Sequence, residues 1–262
     1  MARPTSLRSL SEGVKTSINM MVYAYPGVGK TPFWGTGGKE LVLMDSDHGT
    51  ESAIATGSQS DSVSVYDYAA LDEVYDYLRH DEHEYRWVSW DSLTLFMDRS
   101  LIDDITADAH AANPKTQSPW VPSRREYMIQ QSRVSEAIRK FCGLPIHFGV
   151  SCHVTTDADN EGTLMYVPLI PGQKGELSTK IRGYMNVVGY LSTTPRGTLR
   201  MLTRTSNNYF ARDRFGALHT NTAKGLRYHI DNPTVPMLEQ MIKEKLVGQD
   251  RTQGRQRRRR AS

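Results

Sequence analysis

The chain has 262 residues, 38% of them hydrophobic and 9% aromatic, enough to bury the core of one sizeable α/β domain and too apolar for a disordered chain. No apolar run approaches the roughly 20 residues of a membrane helix, and the opening Met-Ala-Arg-Pro-Thr lacks a signal-peptide pattern, so the expected location is cytoplasmic, with no membrane partner. The formal charge of +3 is uneven: residues 251–262 carry six arginines and no acid, leaving a mildly acidic body. Residues 250–262 therefore read as a basic disordered tail, either an electrostatic tether to a phosphate backbone or a solvated end. Cys142 and Cys152 match no metal or redox spacing and are expected as buried thiols.

Residues 1–14 give no clear element. Ile18–Ala24 is a nearly continuous apolar run, as in a strand buried on both faces. Leu41–Asp45 and Ser62–Tyr66 read as further strands, and Leu71, Val74, Tyr75 and Leu78 repeat at helical spacing. Arg86–Asp91 returns to strand, and Ser92–Ala111 to helix. Ser123 and Glu126 form a capping box for a helix with Tyr127, Val134, Ile138 and Phe141 inward, stopped at Gly143 and Pro145. Ile146–His153 is the next strand; Asn186–Ser192 and Thr198–Thr203 form a hairpin across Pro195-Arg-Gly197. Asn232 and Pro233 open a last helix, over 231–249, with Met237, Leu238, Met241 and Ile242 inward. The order indicates one α/β core over 15–230, a largely parallel sheet flanked by helices with a β-hairpin-rich C-terminal part.

The segment Ala24-Tyr-Pro-Gly-Val-Gly-Lys-Thr31 follows the first strand. It matches the phosphate-loop pattern except for Ala24 in place of the first glycine. Gly27 and Gly29 let the backbone curl so that amides from Pro26-Gly27-Val28-Gly29 onward face phosphates. Lys30 reaches the β- and γ-phosphates of ATP, the Thr31 hydroxyl binds magnesium, and Pro32 fits the first turn of the next helix. Gly35, Gly37 and Gly38 leave that helix barely two turns. Asp91 ends a later apolar strand, where an acid is needed for the magnesium shell. Ser92, not Glu, follows it, so the water-activating carboxylate is sought in Met44-Asp-Ser-Asp-His-Gly49, at a strand end facing the nucleotide crevice. Asp45 and Asp47 could instead cap a loop.

That acid-x-acid-His segment resembles the bacterial RecA recombinase family, and the resemblance implies Asp47 as the catalytic carboxylate, where the family has Glu. It further implies His153, where the family favours Gln, as a γ-phosphate sensor. Arg212 and Arg214 of Asn208-Tyr-Phe-Ala-Arg-Asp-Arg-Phe-Gly216 look like the family's paired basic residues, reaching the neighbouring subunit's γ-phosphate. Pro171–Lys180 occupies the position of the second DNA loop, with Lys174, Lys180 and Arg182 supplying charge; the stretch with Lys115, Trp120, Arg124 and Arg125 occupies that of the first.

Over roughly residues 15–225 the chain resembles small phage proteins that carry only the RecA core. The resemblance implies a DNA-dependent ATPase acting in annealing or strand pairing on single-stranded DNA. It also implies a homo-oligomer with ATP at its interface, filament or ring, beside a single-strand DNA-binding protein. Two other readings stay open: a ring-type AAA motor or helicase loader, and an ATP-gated DNA-binding module without significant hydrolysis. A small-molecule kinase would need a lid that the sequence does not display.

Overall fold

The computed structural model describes residues 17–158, 162–172, 175–206, 208–223 and 225–260, and from 248 onward only the course of the backbone. Strand β1 (Asn19–Ala24) is buried throughout and alternates between two cores. Met21 and Tyr23 enter one hydrophobic cluster, Met20, Val22 and Ala24 the other. An almost wholly apolar strand results because both faces are covered.

From β1 the chain passes through the glycine loop into α1 (Lys30–Gly35), then β2 (Leu41–Asp45), α2 (Thr50–Ala55), β3 (Asp61–Ser64), α3 (Tyr68–His80) and β4 (Trp87–Asp91). Asp67 caps α3, its carboxylate accepting the Ala70 amide at 2.6 Å. The long helix expected after Asp91 is three pieces: α4 (Leu93–Leu95), a π-helical stretch over Phe96–Leu101, and α5 (Ile102–Ala112). The capping box of Ser123 and Glu126 opens α6 (Arg124–Cys142), and Gly143 closes it. β5 (His147–Ala158) runs past the expected end to pair with β6 (Leu164–Leu169), followed by α7 (Glu176–Tyr184). β7 (Val187–Thr193) and β8 (Leu199–Leu202) form the expected antiparallel hairpin. Short strands β9 (Arg212–Asp213), β10 (Thr220–Thr222), β11 (Gly225–Arg227) and β12 (His229–Asp231) precede α8 (Val235–Arg260).

The main sheet has the order β12-β8-β7-β1-β5-β4-β2-β3, with β7, β1, β5, β4, β2 and β3 mutually parallel. β5 thus separates the phosphate-loop strand β1 from the Asp91 strand β4. All three point their carboxyl ends at one crevice, the usual ligand side of such sheets. Helices α3, α5, α6 and α7 cover one face, while α1 and α8 cover the other.

Three expectations are corrected. Tyr127 is 46% exposed and Met237 42% exposed: each lies in its helix's first turn, where the apolar stripe overhangs the core edge. Leu238 and Ile242 do pack inward, joining α8 to the core rather than appending it. The arginine tail continues α8 as helix to Arg260; glutamine and arginine are good helix formers, and propagation from a packed helix needs no new nucleus. Cys152 is fully buried and Cys142 half-buried, both as free thiols.

α1 lies close to the sheet because Gly149 gives it room: a methyl group there would meet the buried Trp34 indole at 2.3 Å. On the other side of β1, a methyl at Gly189 would first meet the tip of the Met201 side chain. Gly149→Ala should therefore cost on the order of 1–3 kcal/mol, read as a lowered urea midpoint, and Gly189→Ala less, because a thioether can swing aside. Equal losses would contradict this account of α1 seating.

Candidate active site: a phosphate loop facing three carboxylates

The loop leaves β1 at Ala24, the residue that replaces the first glycine of the pattern, and that position is still strand. Gly27 and Gly29 have φ of 76° and 109°, the left-handed region in which a side chain would strain the backbone. They curl residues 25–29 into a concave turn, and the amides that open α1 have no intrahelical acceptors. Pro32 stands in that first turn as expected, where its missing N–H costs nothing. Lys30 is 8% exposed, with its ammonium 3.4 Å from the Tyr25 carbonyl oxygen. Burial lowers its pKa, opposed by Asp91, Cys152 and Asp47. The predicted lysine and the two predicted acids therefore share one pocket.

Asp91 is 1% exposed. The Ser151 hydroxyl on β5 donates to its Oδ1, while Oδ2 is buried without a hydrogen-bond partner. Burial raises its pKa, opposed by Ser151, Thr31 and Lys30. A buried carboxylate oxygen lacking a donor, beside the Thr31 hydroxyl, is a donor set suited to a hard cation such as magnesium. Thr31 and Asp91 are the residues that would hold it.

The structure separates the two acids of the Asp45–Asp47 segment. Asp45 is the loop cap: its Oδ1 accepts the amides of Asp47 at 3.1 Å and Gly49 at 3.2 Å. Asp47 is half-buried, and its Oδ1 has no hydrogen-bond partner. A methyl on Gly49 would lie 2.6 Å from that oxygen and 3.4 Å from Thr31 Oγ1, so the free acid borders the loop threonine. Burial, then the charges of Asp91 and Asp45, push its pKa up to about 6. His48, at φ 59°, turns away to bond the Tyr66 hydroxyl at 2.7 Å.

His153 pairs in register with Ala24, where the loop begins. Its amide donates to Thr94 Oγ1 at 3.0 Å, and burial followed by Lys30 lowers its pKa, leaving a neutral imidazole near neutral pH. Ser151 and Thr94 were missed by sequence reasoning; the signal was a serine within an apolar strand, two residues before His153.

The remaining predicted residues lie elsewhere. Arg212 pairs with Val188, and the Arg214 amide bonds the Asn186 carbonyl, at the amino end of β7, whereas the loop leaves the carboxyl end of parallel β1. Neither can reach its own chain's loop. Arg212 Nη2 donates to the carbonyls of Arg182 and, at 2.9 Å, Met185; Arg214 Nη2 donates to Gly183 at 2.8 Å, so both close the end of α7. Arg182 stacks 4.6 Å over the Phe210 ring and bonds Ser178 and Thr179 within its helix, which leaves it a half-buried structural cation. Lys180, Arg124 and Arg125 are exposed, and Trp120, between the last two and α5, is 87% exposed. Lys174 lies outside the described residues.

Residues 16–215 match the family model described as an AAA domain. The chain belongs to this AAA family. Its strand order, phosphate loop and buried strand-end acid make this AAA domain a RecA-like phosphate-loop ATPase. No curated protein matches it. Among solved structures, one described as an ATPase domain aligns at TM-score 0.43 and 10% identity, covering 75% of this chain and 77% of that chain, a likeness too slight to carry an argument. No helix among the described residues is long and apolar enough to cross a membrane.

Without nucleotide or magnesium, the Asp47 carboxyl should titrate by NMR with a midpoint of about 6, and Asp91→Asn should move it toward the ordinary range. Its folded pKa is the higher one, so the associated stability is present at low pH and lost as pH rises from about 4 to about 6. Asp47→Asn should flatten that decline in urea unfolding; an unchanged pH profile would refute the burial argument.

Proposed function

We propose that this ATPase domain hydrolyses ATP between adjacent subunits and couples that to binding single-stranded DNA in annealing or strand pairing. The observation that carries the reading is the buried pocket in which Lys30, Thr31, Asp47 and Asp91 converge, with Arg212 and Arg214 at the opposite end of the sheet. A nucleotide seated on one subunit would receive those arginines only from the next.

The amides of Gly27, Val28, Gly29 and Lys30 would hold the phosphate oxygens, with the Lys30 ammonium between the β- and γ-phosphates. Magnesium, when bound through Thr31 and Asp91, supplies charge neutralisation on the transferring phosphoryl group. Asp47 Oδ1 takes a proton from the attacking water as the new P–O bond forms and the bond to the β-phosphate oxygen breaks. A carboxylate titrating near 6 is poised for that exchange. His153, neutral and beside Lys30, would donate its N–H to a γ-phosphate oxygen. The nucleoside would lie in the cavity of about 510 Å³ along α1, against Pro32, Leu199 and Pro233, with Gln59 and Asn232 at its rim.

The strand would follow exposed Trp120 with Arg124 and Arg125, then Lys180 and the loop containing Lys174, the aromatic stacking a base and the cations meeting phosphates. Arg182, held on Phe210, would orient the end of α7 rather than touch the strand. A single-strand DNA-binding protein is a compatible partner, and a cytoplasmic location fits this substrate. AAA membership favours a second reading, a ring motor or helicase loader. The absence of an acid directly after Asp91 counts against it.

Lys30→Ala should abolish ATP turnover in a phosphate-release assay run with and without single-stranded DNA; undiminished hydrolysis would remove the assignment. Arg214→Ala should lower turnover at least tenfold with nucleotide affinity nearly intact, whereas lost nucleotide binding by the monomer would refute a role across the interface. Electron microscopy with ATP and single strands should display filaments; closed hexamers would favour the ring motor.

A further inference from the structure

A second cationic site lies far from the phosphate loop. Arg204, Arg212, His219, Tyr228 and Lys245 line a cleft of about 580 Å³ in the β-rich C-terminal part. Arg204 follows β8, whose Leu202 is paired with Tyr190, so the cleft opens toward the amino end of β7. A nucleotide on the same chain's loop, at the carboxyl end of β1, lies at the other end of the sheet.

The charges in this cleft are unbalanced. None of Arg204, Arg212 and Lys245 forms an ion pair with a carboxylate among the described residues. The one acid in the wall, Asp213, is occupied: Oδ1 accepts the Phe215 amide at 2.8 Å, and Oδ2 accepts those of Ala217 and Leu218 at 2.7 Å each. The Arg204 guanidinium lies 4.8 Å over the Tyr228 ring and pairs with no carboxylate among the described residues. Arg212 is turned to the α7 carbonyls, so Arg204 and Lys245 are the cations left to meet a ligand, and an anion between them relieves their repulsion.

We propose that this cleft grips the phosphodiester backbone of single-stranded nucleic acid. A chain-like anion suits the site better than a small one. Arg204 and Lys245 stand on separate segments of the cleft wall, and the sequence beyond Lys245 carries six arginines between residues 251 and 260. A strand leaving the cleft would find more positive charge further along the sequence. This rests on the single-strand reading above, but not on the loops to which that reading assigns the strand.

The test uses the full chain and a labelled 20-nucleotide thymidylate strand, followed by fluorescence anisotropy over a salt series. Arg204→Ala with Lys245→Ala should weaken binding at least tenfold and reduce the log–log salt slope by about 1.4, roughly 0.7 for each phosphate no longer neutralised. The control pair Arg79→Ala with Arg99→Ala, exposed cations outside the cleft, should leave the slope nearly unchanged. Binding of a fluorescent ATP analogue by the cleft variant should equal wild type. An unchanged slope, or one reduced equally by the control pair, would overturn the cleft alone. Unchanged strand binding with lost ATP turnover would also overturn it, and would assign the cleft to a neighbouring subunit's nucleotide. No strand binding by the wild-type chain would overturn the single-strand reading as well.

Discussion

The structure depends on a concentration of buried charge at the carboxyl ends of β1, β2 and β4. Asp47 and Asp91 lie close to the Lys30 ammonium, and Asp45 caps the loop beside them. Burial raises the pKa values of Asp47 and Asp91, and neighbouring carboxylates add to the rise, most at Asp47. Such an arrangement fits the proposed magnesium and triphosphate, since the metal would offset the acids and the phosphates would take the lysine and the loop amides.

The sheet converts that local chemistry into position. Because β5 lies between β1 and β4, its Ser151 meets Asp91 and its His153 meets the start of the loop, so one strand borders both the buried acid and the loop. Beneath the loop, Tyr23 donates to the carbonyls of Tyr166 and Phe210, and its ring lies against Tyr190, which stacks on Tyr209 and through it on Tyr166. Phe210 in turn carries Arg182 of α7. Packed aromatic groups thus connect the strand that bears the phosphate loop with the helix that follows the proposed second DNA loop.

Much of this was legible in the sequence, for local reasons. The Ser123–Glu126 box and the strands read over Leu41–Asp45 and Arg86–Asp91 depend on neighbours in the chain, and the structure forms them, the second starting one residue later at Trp87. Asp45 and Asp47 could not be told apart from sequence, since which one turns back onto the loop amides depends on the path of the backbone through His48 and Gly49. Arg212 and Arg214 read as a pair of free cations, but the end of α7, some thirty residues earlier in the chain, takes up part of their hydrogen-bonding capacity. The short strands β9 to β12 span two or three residues each, too few to display period-two alternation, so only tertiary pairing defines them. The basic cleft is assembled from those strands and α8, and it was invisible for the same reason.

The most direct test of the central claim is hydrogen–deuterium exchange of the whole chain with and without magnesium-ATP. Amides of residues 25–31 should become strongly protected, with a second zone of slowed exchange around Asp45–Gly49 and Asp91. Exchange in both segments that stayed the same at saturating nucleotide would contradict the assignment of this pocket to a triphosphate.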